Sequence, residues 1–342
     1  MGTVTIITDD AHEIDGDVVD GHLLISATDL PLALDWELKP EGLCRGDICV
    51  PVRDRAAIER DGLLDIGAVA TALGRPAVVD ADRAIAAIGM PGADRQSLVA
   101  GAPAAPFTLP DLDGTPHELD EWAGTKRLVV TFASWCGCRY DLPGWRALRD
   151  ELAAEGHDLN VIAVALDDSA DAVREFAEGT DLPVLLDREH LLSELYSVSN
   201  VPTVVWIDDD DTIARPNGVA FGDDLFKEFH GVPSGPHHDA VRAWVRDGTK
   251  PADAVEVPGL SDDEVLARLH FRVASHLRRA GDDAGAAEHF DAALALAPLD
   301  FTVARAQMPL RGGDPFGAEF FELYEAWQAA GSPVHAVAPM HE

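Results

Sequence analysis

The feature that most constrains the fold is an alternation of apolar runs and amphipathic stretches between Phe107 and Asp247. Continuous runs rich in β-branched residues, as at 128–133, are typical of strands buried on both faces of a sheet. Strands that alternate with helices pair in parallel through right-handed crossovers. We therefore predict an α/β domain with strands at 128–133, 161–166, 184–186 and 203–207 and helices at 142–155, 169–178 and 237–247.

The first hundred residues form a separate predicted module. They combine strand-like runs at 4–8, 22–25 and 43–52 with helical stretches at 62–73 and 82–88. A stretch rich in Pro, Gly and Ala between Gly89 and Pro106 is typical of a boundary. The sequence thus predicts a small N-terminal α+β module at 1–100 and the α/β domain at 101–249.

The last predicted segment, 259–335, is helical. Ser261 followed by Glu264 forms a capping box, and a second amphipathic stretch ends at Pro298. Together the two helices resemble one tetratricopeptide repeat (TPR), a unit of about 34 residues, and about three such units are needed for a stable solenoid. We therefore expect a TPR-like α-helical extension packed on its neighbour rather than a free peptide-binding array.

The chain is strongly acidic, because 26 Lys and Arg residues against 61 Asp and Glu residues give a formal net charge of −35. Such a surface repels nucleic acid and acidic lipid headgroups, so neither is an expected partner. The chain opens without a basic segment and an apolar run of signal-peptide type, and its apolar runs are shorter than the ~20 residues of a membrane-spanning helix. We expect a cytoplasmic protein that does not engage a membrane.

The four cysteines form two close pairs, Cys44 with Cys49 and Cys136 with Cys138. In a reducing compartment, close pairs are more often redox or metal groups than structural crosslinks. Cys136-Gly137-Cys138 lies where a buried strand runs into a predicted helix. Because the first turn of a helix favours thiolate over thiol, Cys136 is the candidate nucleophile. Cys138 is placed to attack the mixed disulfide that Cys136 forms with a substrate.

Four segments surround this pair with a recognisable pattern: Ala-Pro-Phe-Thr-Leu-Pro-Asp-Leu-Asp-Gly at 105–114, Phe-Ala-Ser-Trp-Cys at 132–136, Arg-Tyr-Asp-Leu-Pro at 139–143 and Asn-Val-Pro-Thr-Val-Val-Trp-Ile-Asp at 200–208. Over about 103–215 the chain resembles the thioredoxin superfamily, most closely its TlpA/ResA-type branch, which is grouped with the AhpC/TSA redoxins. The resemblance implies a thioredoxin-like fold and thiol-disulfide oxidoreductase activity, without a cofactor, on a protein or small-molecule thiol or disulfide. It casts Pro202 as a cis-proline that faces the catalytic cysteine, with Val201 and Thr203 on the substrate side.

Three residues near the pair each allow two interpretations, one functional and one structural. Trp135 shields the thiol as its family counterpart does, or it is a core residue. Arg139 favours the thiolate electrostatically, or it is a solvated side chain. Asp141 accepts a proton near Cys138, although complementing the helix dipole is the reading we favour from the sequence.

The pair departs from the family pattern Trp-Cys-x-Pro-Cys-Arg-x-Glu-x-Pro. Aligned on Arg139 and Pro143, the chain has lost one residue between the cysteines, so that Cys138 takes the resolving role and Asp141 stands where the family has Glu. Aligned on the first cysteine, Arg139 would replace the resolving thiol. We favour the contraction, because it matches Arg139, Asp141 and Pro143 together. A Cys-x-Cys disulfide closes a small, strained ring, so we expect a relatively oxidising couple in which Gly137 supplies unusual backbone angles.

Cys44 and Cys49 flank a tight turn and form a candidate second redox pair. A two-residue turn places them at a non-hydrogen-bonded cross-strand position, where Cα atoms lie about 4.5 Å apart and a disulfide can form. Two small buried side chains are the equal alternative. As an alternative to redox chemistry, the Cys136 and Cys138 thiolates alone could hold a soft metal ion such as Cu(I) or Zn. If Cys44 and Cys49 approach them, the four sulfurs form a dithiol relay or bind a soft metal ion such as Cu(I), Zn or Hg. The same arrangement also suits a specialised enzyme for a small sulfur or organometal compound.

Overall fold

The structure is a computed structural model that describes residues 2–92, 97–252 and 256–340. The strands are β1 (Gly2–Ile7), β2 (Ala11–Val19), β3 (His22–Ile25), β4 (Glu37–Lys39), β5 (Gly42–Arg45), β6 (Ile48–Val50), β7 (Glu59–Arg60), β8 (Leu63–Asp65), β9 (Ala77–Asp80), β10 (Ile85–Ile88), β11 (Leu98–Val99), β12 (Thr108–Pro110), β13 (Pro116–Glu118), β14 (Lys126–Phe132), β15 (Leu159–Ala165), β16 (Val184–Leu186), β17 (Thr203–Ile207), β18 (Ile213–Gly218) and β19 (Glu256–Val257). The α-helices are α1 (Leu30–Leu34), α2 (Ile66–Ala72), α3 (Leu142–Ala154), α4 (Ala170–Ala177), α5 (Leu191–Leu195), α6 (Lys227–His230), α7 (Gly235–Asp247), α8 (Asp262–Arg279), α9 (Asp283–Leu296), α10 (Phe301–Ala304), α11 (Gln307–Leu310) and α12 (Ala318–Ala329). Short 3-10 helices cover Arg55–Ala57, Leu119–Trp122 and Gly137–Tyr140.

The chain divides into two compact units, each made of two separate stretches. Unit 1 is Met1–Gln96 with Ser261–Pro298, and unit 2 is Ser97–Leu260 with Leu299–Glu342. This division differs from the predicted segments 1–100, 101–249 and 259–335. The predicted helical extension is shared between the units, because α8 packs on β9 and β10 of unit 1.

Unit 1 is built on a sheet with the strand order β7-β8-β3-β2-β1-β10-β9. Strands β1 and β10 pair in parallel, and the other neighbours are antiparallel. The α8 capping box predicted from Ser261 and Glu264 is confirmed, since Ser261 Oγ accepts from Glu264 N at 3.3 Å and Glu264 Oε2 accepts from Ser261 N at 2.7 Å. Helix α9 packs on α8 as the predicted helical hairpin, and its likeness to a TPR unit stays a prediction.

The predicted helix at 82–88 is wrong, because β10 occupies Ile85–Ile88. All four residues of this strand are buried, and the strand pairs with β1 on one side and β9 on the other. A surface helix needs a polar face, which this apolar run does not provide. The predicted helix at 62–73 begins later than expected, at Ile66, where the Asp65 side chain accepts a hydrogen bond from Ala68 N at 3.3 Å.

Unit 2 contains the predicted α/β sheet, with the strand order β16-β15-β14-β17-β18. Strands β14, β15 and β16 pair in parallel, while β17 and β18 are antiparallel to their neighbours. The apolar core between this sheet and helices α3 and α7 includes Trp145, Trp206 and Trp244. The fold is therefore thioredoxin-like, with β14 central and its carboxyl end leading into the Cys136 region.

The C-terminal part of unit 2 is attached to the sheet domain near both of its ends. Phe301 N donates to Ser199 O at 3.0 Å, and Val337 N donates to Asn217 O at 2.9 Å. Between these bonds the chain forms α10, α11 and α12. Among the residues that the structure describes, no helix combines the length and the apolar character that crossing a bilayer requires.

Candidate functional site

The Cys136 and Cys138 thiols lie in a 3-10 turn between β14 and α3. Cys136 is the N-cap of the 3-10 helix Gly137–Tyr140, and α3 begins only at Leu142. The prediction that placed the thiols in the first turn of the long helix is therefore refined. Pro143, which lacks a backbone N–H, is tolerated only in the first turn of a helix, so α3 cannot extend back through the cysteines.

Cys136 is a buried free thiol, 6% exposed, and its surroundings favour the thiolate form. Its sulfur accepts a hydrogen bond from Cys138 N at 3.3 Å and lies 3.5 Å from Val201 O, to which the thiol donates. Burial alone would raise the pKa of Cys136. The hydrogen bonds from Cys138 and the positive charges of Arg305 and Arg139 outweigh burial and lower the pKa of Cys136 to about 7.

Cys138 is the protonated member of the pair. Burial, the hydrogen bond to Cys136 and the negative charges of Cys136 and Asp141 together raise the pKa of Cys138 well above its ordinary value. Cys138 is also a buried free thiol. The two cysteines thus have pKa values pushed in opposite directions, which is the pattern of one nucleophile and one proton-bearing partner.

Asp141 lies at the junction of the 3-10 turn and α3 with its carboxyl buried, 4% exposed. It makes no side-chain cap bond to α3, and its Oδ2 has no hydrogen-bond partner among the described residues. Burial, with the negative charges of Asp223 and Cys136, raises the pKa of Asp141 to about 8. A carboxyl that is largely protonated at neutral pH carries little charge with which to complement the dipole of α3, so the dipole interpretation favoured from the sequence is not supported, and the role of proton acceptor stays a prediction.

Gly137 serves a different purpose from the one predicted. Its backbone does not adopt a positive φ, so unusual backbone angles are not the reason for a glycine here. A Cβ at this position would lie 3.0 Å from Cε2 of Phe226. The glycine lets the Phe226 ring pack directly on the turn between the two cysteines.

The Val201–Pro202 peptide bond is cis, as the family resemblance implied. Thr203 begins β17 and is held on β14, since Thr203 N donates to Thr131 Oγ1 and Thr131 Oγ1 donates to Thr203 O, both at 3.0 Å. The bond from Cys136 to the Val201 carbonyl brings this loop and the reacting thiol together. The structure thus groups four of the predicted site residues: Cys136, Cys138, Val201 and Pro202.

Trp135 and Arg139 both lie at the site in well-defined positions. Trp135 is buried, and its Nε1 donates to Leu166 O at 2.9 Å, which fixes the loop after β14 against the end of β15. Arg139 Nη1 donates to Ser134 O at 2.6 Å, and its guanidinium lies over the rings of Tyr140 and Phe176 at 4.9 and 4.6 Å. Arg139 is therefore packed beside the thiols rather than free in solvent.

Sequence reasoning missed two charged residues that shape this site. Asp167 accepts from Ser134 N at 2.8 Å and from Ser134 Oγ at 2.5 Å, while burial raises the pKa of Asp167 to about 7. Its position directly after a buried parallel strand was a usable signal, because functional groups gather at the carboxyl ends of such strands. Arg305 had no signal, since it lies far along the chain from Cys136 and directly after the short helix α10.

Cys44 and Cys49 form a disulfide in unit 1. They are paired residues of β5 and β6, as predicted, with Cα atoms 4.1 Å apart. Cys44 is buried and Cys49 is exposed. Because the two sulfurs are bonded to each other, neither is a thiolate ligand here. The described residues contain no cluster of three or more His, Cys, Asp or Glu side chains arranged to hold a metal ion.

The sequence of unit 2 matches known proteins. The model of the AhpC/TSA family matches residues 100–215. The thioredoxin-like protein YneN of Bacillus subtilis is 33% identical over 119 residues, which are 33% of this chain and 68% of YneN. The thiol-disulfide oxidoreductase ResA of Bacillus cereus is 29% identical over 126 residues, which are 36% of this chain and 72% of ResA.

One solved structure that resembles this chain is a crystal structure of a protein from Chlorobium tepidum named as a DsbE-type thiol:disulfide interchange protein, whose sequence is 29% identical to this chain. The similarity covers 36% of this chain and 88% of that protein, with a TM-score of 0.33. The family match, the YneN similarity and the sheet that carries the cysteines agree on one assignment. Through residues 100–215, the chain belongs to the AhpC/TSA family of thioredoxin-like redoxins.

Proposed function

We propose that this protein is a thiol-disulfide oxidoreductase in which Cys136 is the nucleophile and Cys138 the resolving thiol. The general class, an oxidoreductase acting on thiols and disulfides, follows from the family and from relatives such as ResA. The observation that supports the residue assignment is the pairing of two free thiols whose pKa values are driven apart, that of Cys136 to about 7 and that of Cys138 upward. Thiolate is the attacking form in disulfide exchange, so Cys136 reacts first.

The reaction proceeds in two exchanges. The Cys136 thiolate attacks one sulfur of a substrate disulfide, forming a mixed disulfide and releasing the other substrate sulfur as a thiolate that takes up a proton. Cys138 then loses its proton and attacks the Cys136 sulfur, which releases the second substrate thiol and leaves a Cys136–Cys138 disulfide. The substrate gains two electrons that the dithiol loses, and an external thiol reductant restores the dithiol. All steps are reversible, so the same groups oxidise a dithiol substrate when they start as the disulfide.

Asp141 is the proposed acceptor of the Cys138 proton. Its carboxyl is buried beside the pair, and a pKa of about 8 leaves about a tenth of it as the carboxylate at pH 7, the form that can accept a proton. The Cys136 charge is one cause of the raised pKa, so the carboxylate fraction grows once that charge is lost in the mixed disulfide. The negative charges of Asp141 and Cys136 disfavour a Cys138 thiolate while Cys136 is ionised. Once Cys136 enters the mixed disulfide its charge is lost, and Cys138 can be deprotonated.

Val201 and Pro202 are the proposed substrate-side edge of the site. The Cys136 thiol donates to Val201 O at 3.5 Å, and a thiolate cannot make that bond. Ionisation of Cys136 therefore frees the carbonyl to accept an N–H from an extended peptide substrate, with Thr203 fixing the adjoining strand. We also propose that substrates are disulfides of proteins or small molecules rather than nucleic acids, given the net charge of −35, and that the protein acts in the cytoplasm.

Insulin reduction with dithiothreitol as the external reductant tests this proposal. We expect Cys136→Ser to reduce turnover to the uncatalysed rate. Cys138→Ser should also lose turnover but accumulate a mixed disulfide at Cys136, visible by mass spectrometry, that Cys136→Ser never forms. Turnover at the wild-type rate in Cys136→Ser would contradict the proposal. So would protein purified anaerobically that holds stoichiometric soft metal and shows no turnover in any variant.

A further inference from the structure

Arg305 reaches the dithiol from a part of the chain outside the family match at residues 100–215. It directly follows α10, whose first turn is capped by Asp300 through a 2.9 Å bond from Thr302 N. The bond from Phe301 N to Ser199 O, 3.0 Å long, ties the start of α10 to the loop that leads into the cis-proline. Backbone bonds therefore fix the segment that carries Arg305 against the redox site.

The Arg305 side chain is held in one orientation and is 8% exposed. Its Nε donates to Pro315 O at 3.0 Å, and its guanidinium lies 3.8 Å from the ring centroid of Phe320 and 5.1 Å from that of Phe316. Among the described residues, no carboxylate lies within ion-pairing distance of it. Burying a cation without a counter-charge costs free energy, so an anion beside Arg305 would stabilise the folded protein.

The candidate anion is Cys136, since the α10 segment is bonded to the loop that carries Val201 and Arg305 shares the Phe316 ring with Arg139 of the cysteine turn. The charges of both sulfurs of the pair act on the Arg305 guanidinium, that of Cys136 most strongly. Arg139 adds a second cation, with its guanidinium 4.8 Å from the same Phe316 ring. The negative groups that face Cys136 are Cys138 and Asp141, and burial keeps both largely protonated at neutral pH.

We propose that Arg305 is the counter-ion of the Cys136 thiolate, so that the C-terminal segment completes the redox site. The ion pair exists in the reduced protein and is lost when Cys136 joins a disulfide. Arg305 therefore stabilises the dithiol state relative to the disulfide and makes the couple more oxidising. The effect on turnover rests on the proposed function, whereas the ion pair itself does not.

The test compares Arg305→Met with Arg305→Lys and with Arg242→Gln. Methionine keeps an apolar stem against Phe320 and removes the charge, while lysine keeps the charge. Arg242 is a matched control, because it pairs with Glu151 on the surface of the same unit, away from the thiols. Ionisation of Cys136 is followed from pH 4 to 10 by thiolate absorbance and by the rate of iodoacetamide alkylation in reduced protein. Equilibration with glutathione gives the position of the dithiol-disulfide couple.

We expect the wild type to be half ionised near pH 7. A rise of about one pKa unit in Arg305→Met leaves about a tenth of Cys136 as thiolate at pH 7, so alkylation slows about five-fold. Glutathione disulfide should oxidise the pair several-fold more readily, itself being reduced to two glutathione thiols. Arg305→Lys should stay within about two-fold of the wild type. The proposal is overturned if Arg305→Met titrates like Arg242→Gln, or if wild-type Cys136 titrates near 8.5. Alkylation of Cys136 needs no substrate. If the protein fails to reduce insulin, the proposed function is refuted, but the alkylation measurement still decides whether Arg305 is the counter-ion of Cys136.

Discussion

Replacing the buried Asp141 carboxyl by an amide should change how the stability of unit 2 depends on pH. The pKa of Asp141 is raised from 3.8 to about 8, chiefly by burial. Between these pH values the folded chain holds a proton that the unfolded chain has released. Below about pH 4 the Asp141 side chain therefore destabilises the folded protein least. The destabilisation grows as the pH rises to about 8 and stays constant above it. Asn has nearly the same size and does not titrate.

The size of the effect follows from the shift. A rise from 3.8 to about 8 is about four pKa units, and at 1.36 kcal/mol per unit it amounts to about 6 kcal/mol above pH 8. Relaxation and water entry reduce this figure, so we expect Asp141→Asn to be more stable than the wild type by at least about 2 kcal/mol at pH 9. At pH 4 the two proteins should differ by less than about 1 kcal/mol.

Tryptophan fluorescence provides the assay, because Trp36 is the only one of the seven tryptophans outside unit 2. Guanidinium unfolding of reduced wild type and Asp141→Asn is followed at pH 4, 6, 8 and 9. Asp171→Asn is the matched control, since Asp171 is 96% exposed on α4. Parallel stability curves for the wild type and Asp141→Asn across this range would refute the reasoning. The same result would also remove Asp141 as the proposed proton acceptor.

Two further experiments test the structure around the two cysteine pairs, one its packing and the other its disulfide. Gly137→Ala places a methyl group 3.0 Å from the Phe226 ring, so we expect unit 2 to lose about 1–3 kcal/mol in guanidinium unfolding. Gly235→Ala, where nothing lies within 4 Å of the added Cβ, should lose less than about 0.5 kcal/mol, and equal losses would contradict the packing argument. Cys44→Ser with Cys49→Ser opens a short loop in unit 1 and should cost about 2 kcal/mol of stability by circular dichroism, whereas an unchanged melting curve would show that the crosslink is not formed in solution.

The features predicted correctly are those that local sequence determines. The predicted strands 184–186 and 203–207 coincide with β16 and β17, because continuous apolar runs between turns have few alternatives once they are buried. The capping box at Ser261 was also readable, since both of its bonds join residues three apart. The cross-strand placement of Cys44 and Cys49 followed from the length of one turn.

The features missed depend on contacts between distant residues or on ambiguous short runs. Ile85–Ile88 is too short for periodicity to distinguish a strand from a helix, and its neighbours in the sheet decide the outcome. The raised pKa of Asp141 depends on burial and on the negative charge of Asp223, a residue far along the chain, and no local pattern encodes either. Arg305 reaches Cys136 only because α10 is bonded to Ser199, a contact between residues a hundred positions apart.

The interleaved construction of the two units has a consequence for synthesis. The ribosome completes the sheet strands of unit 1 by residue 88, yet α8, which packs on β9 and β10, is made only after most of unit 2. Unit 2 in turn lacks Arg305 until its second stretch, which begins at Leu299, emerges. The nascent chain therefore carries an unfinished hydrophobic sheet through much of translation, which exposes it to aggregation and to chaperones. Excising either unit as one contiguous fragment would leave its core or its redox site incomplete.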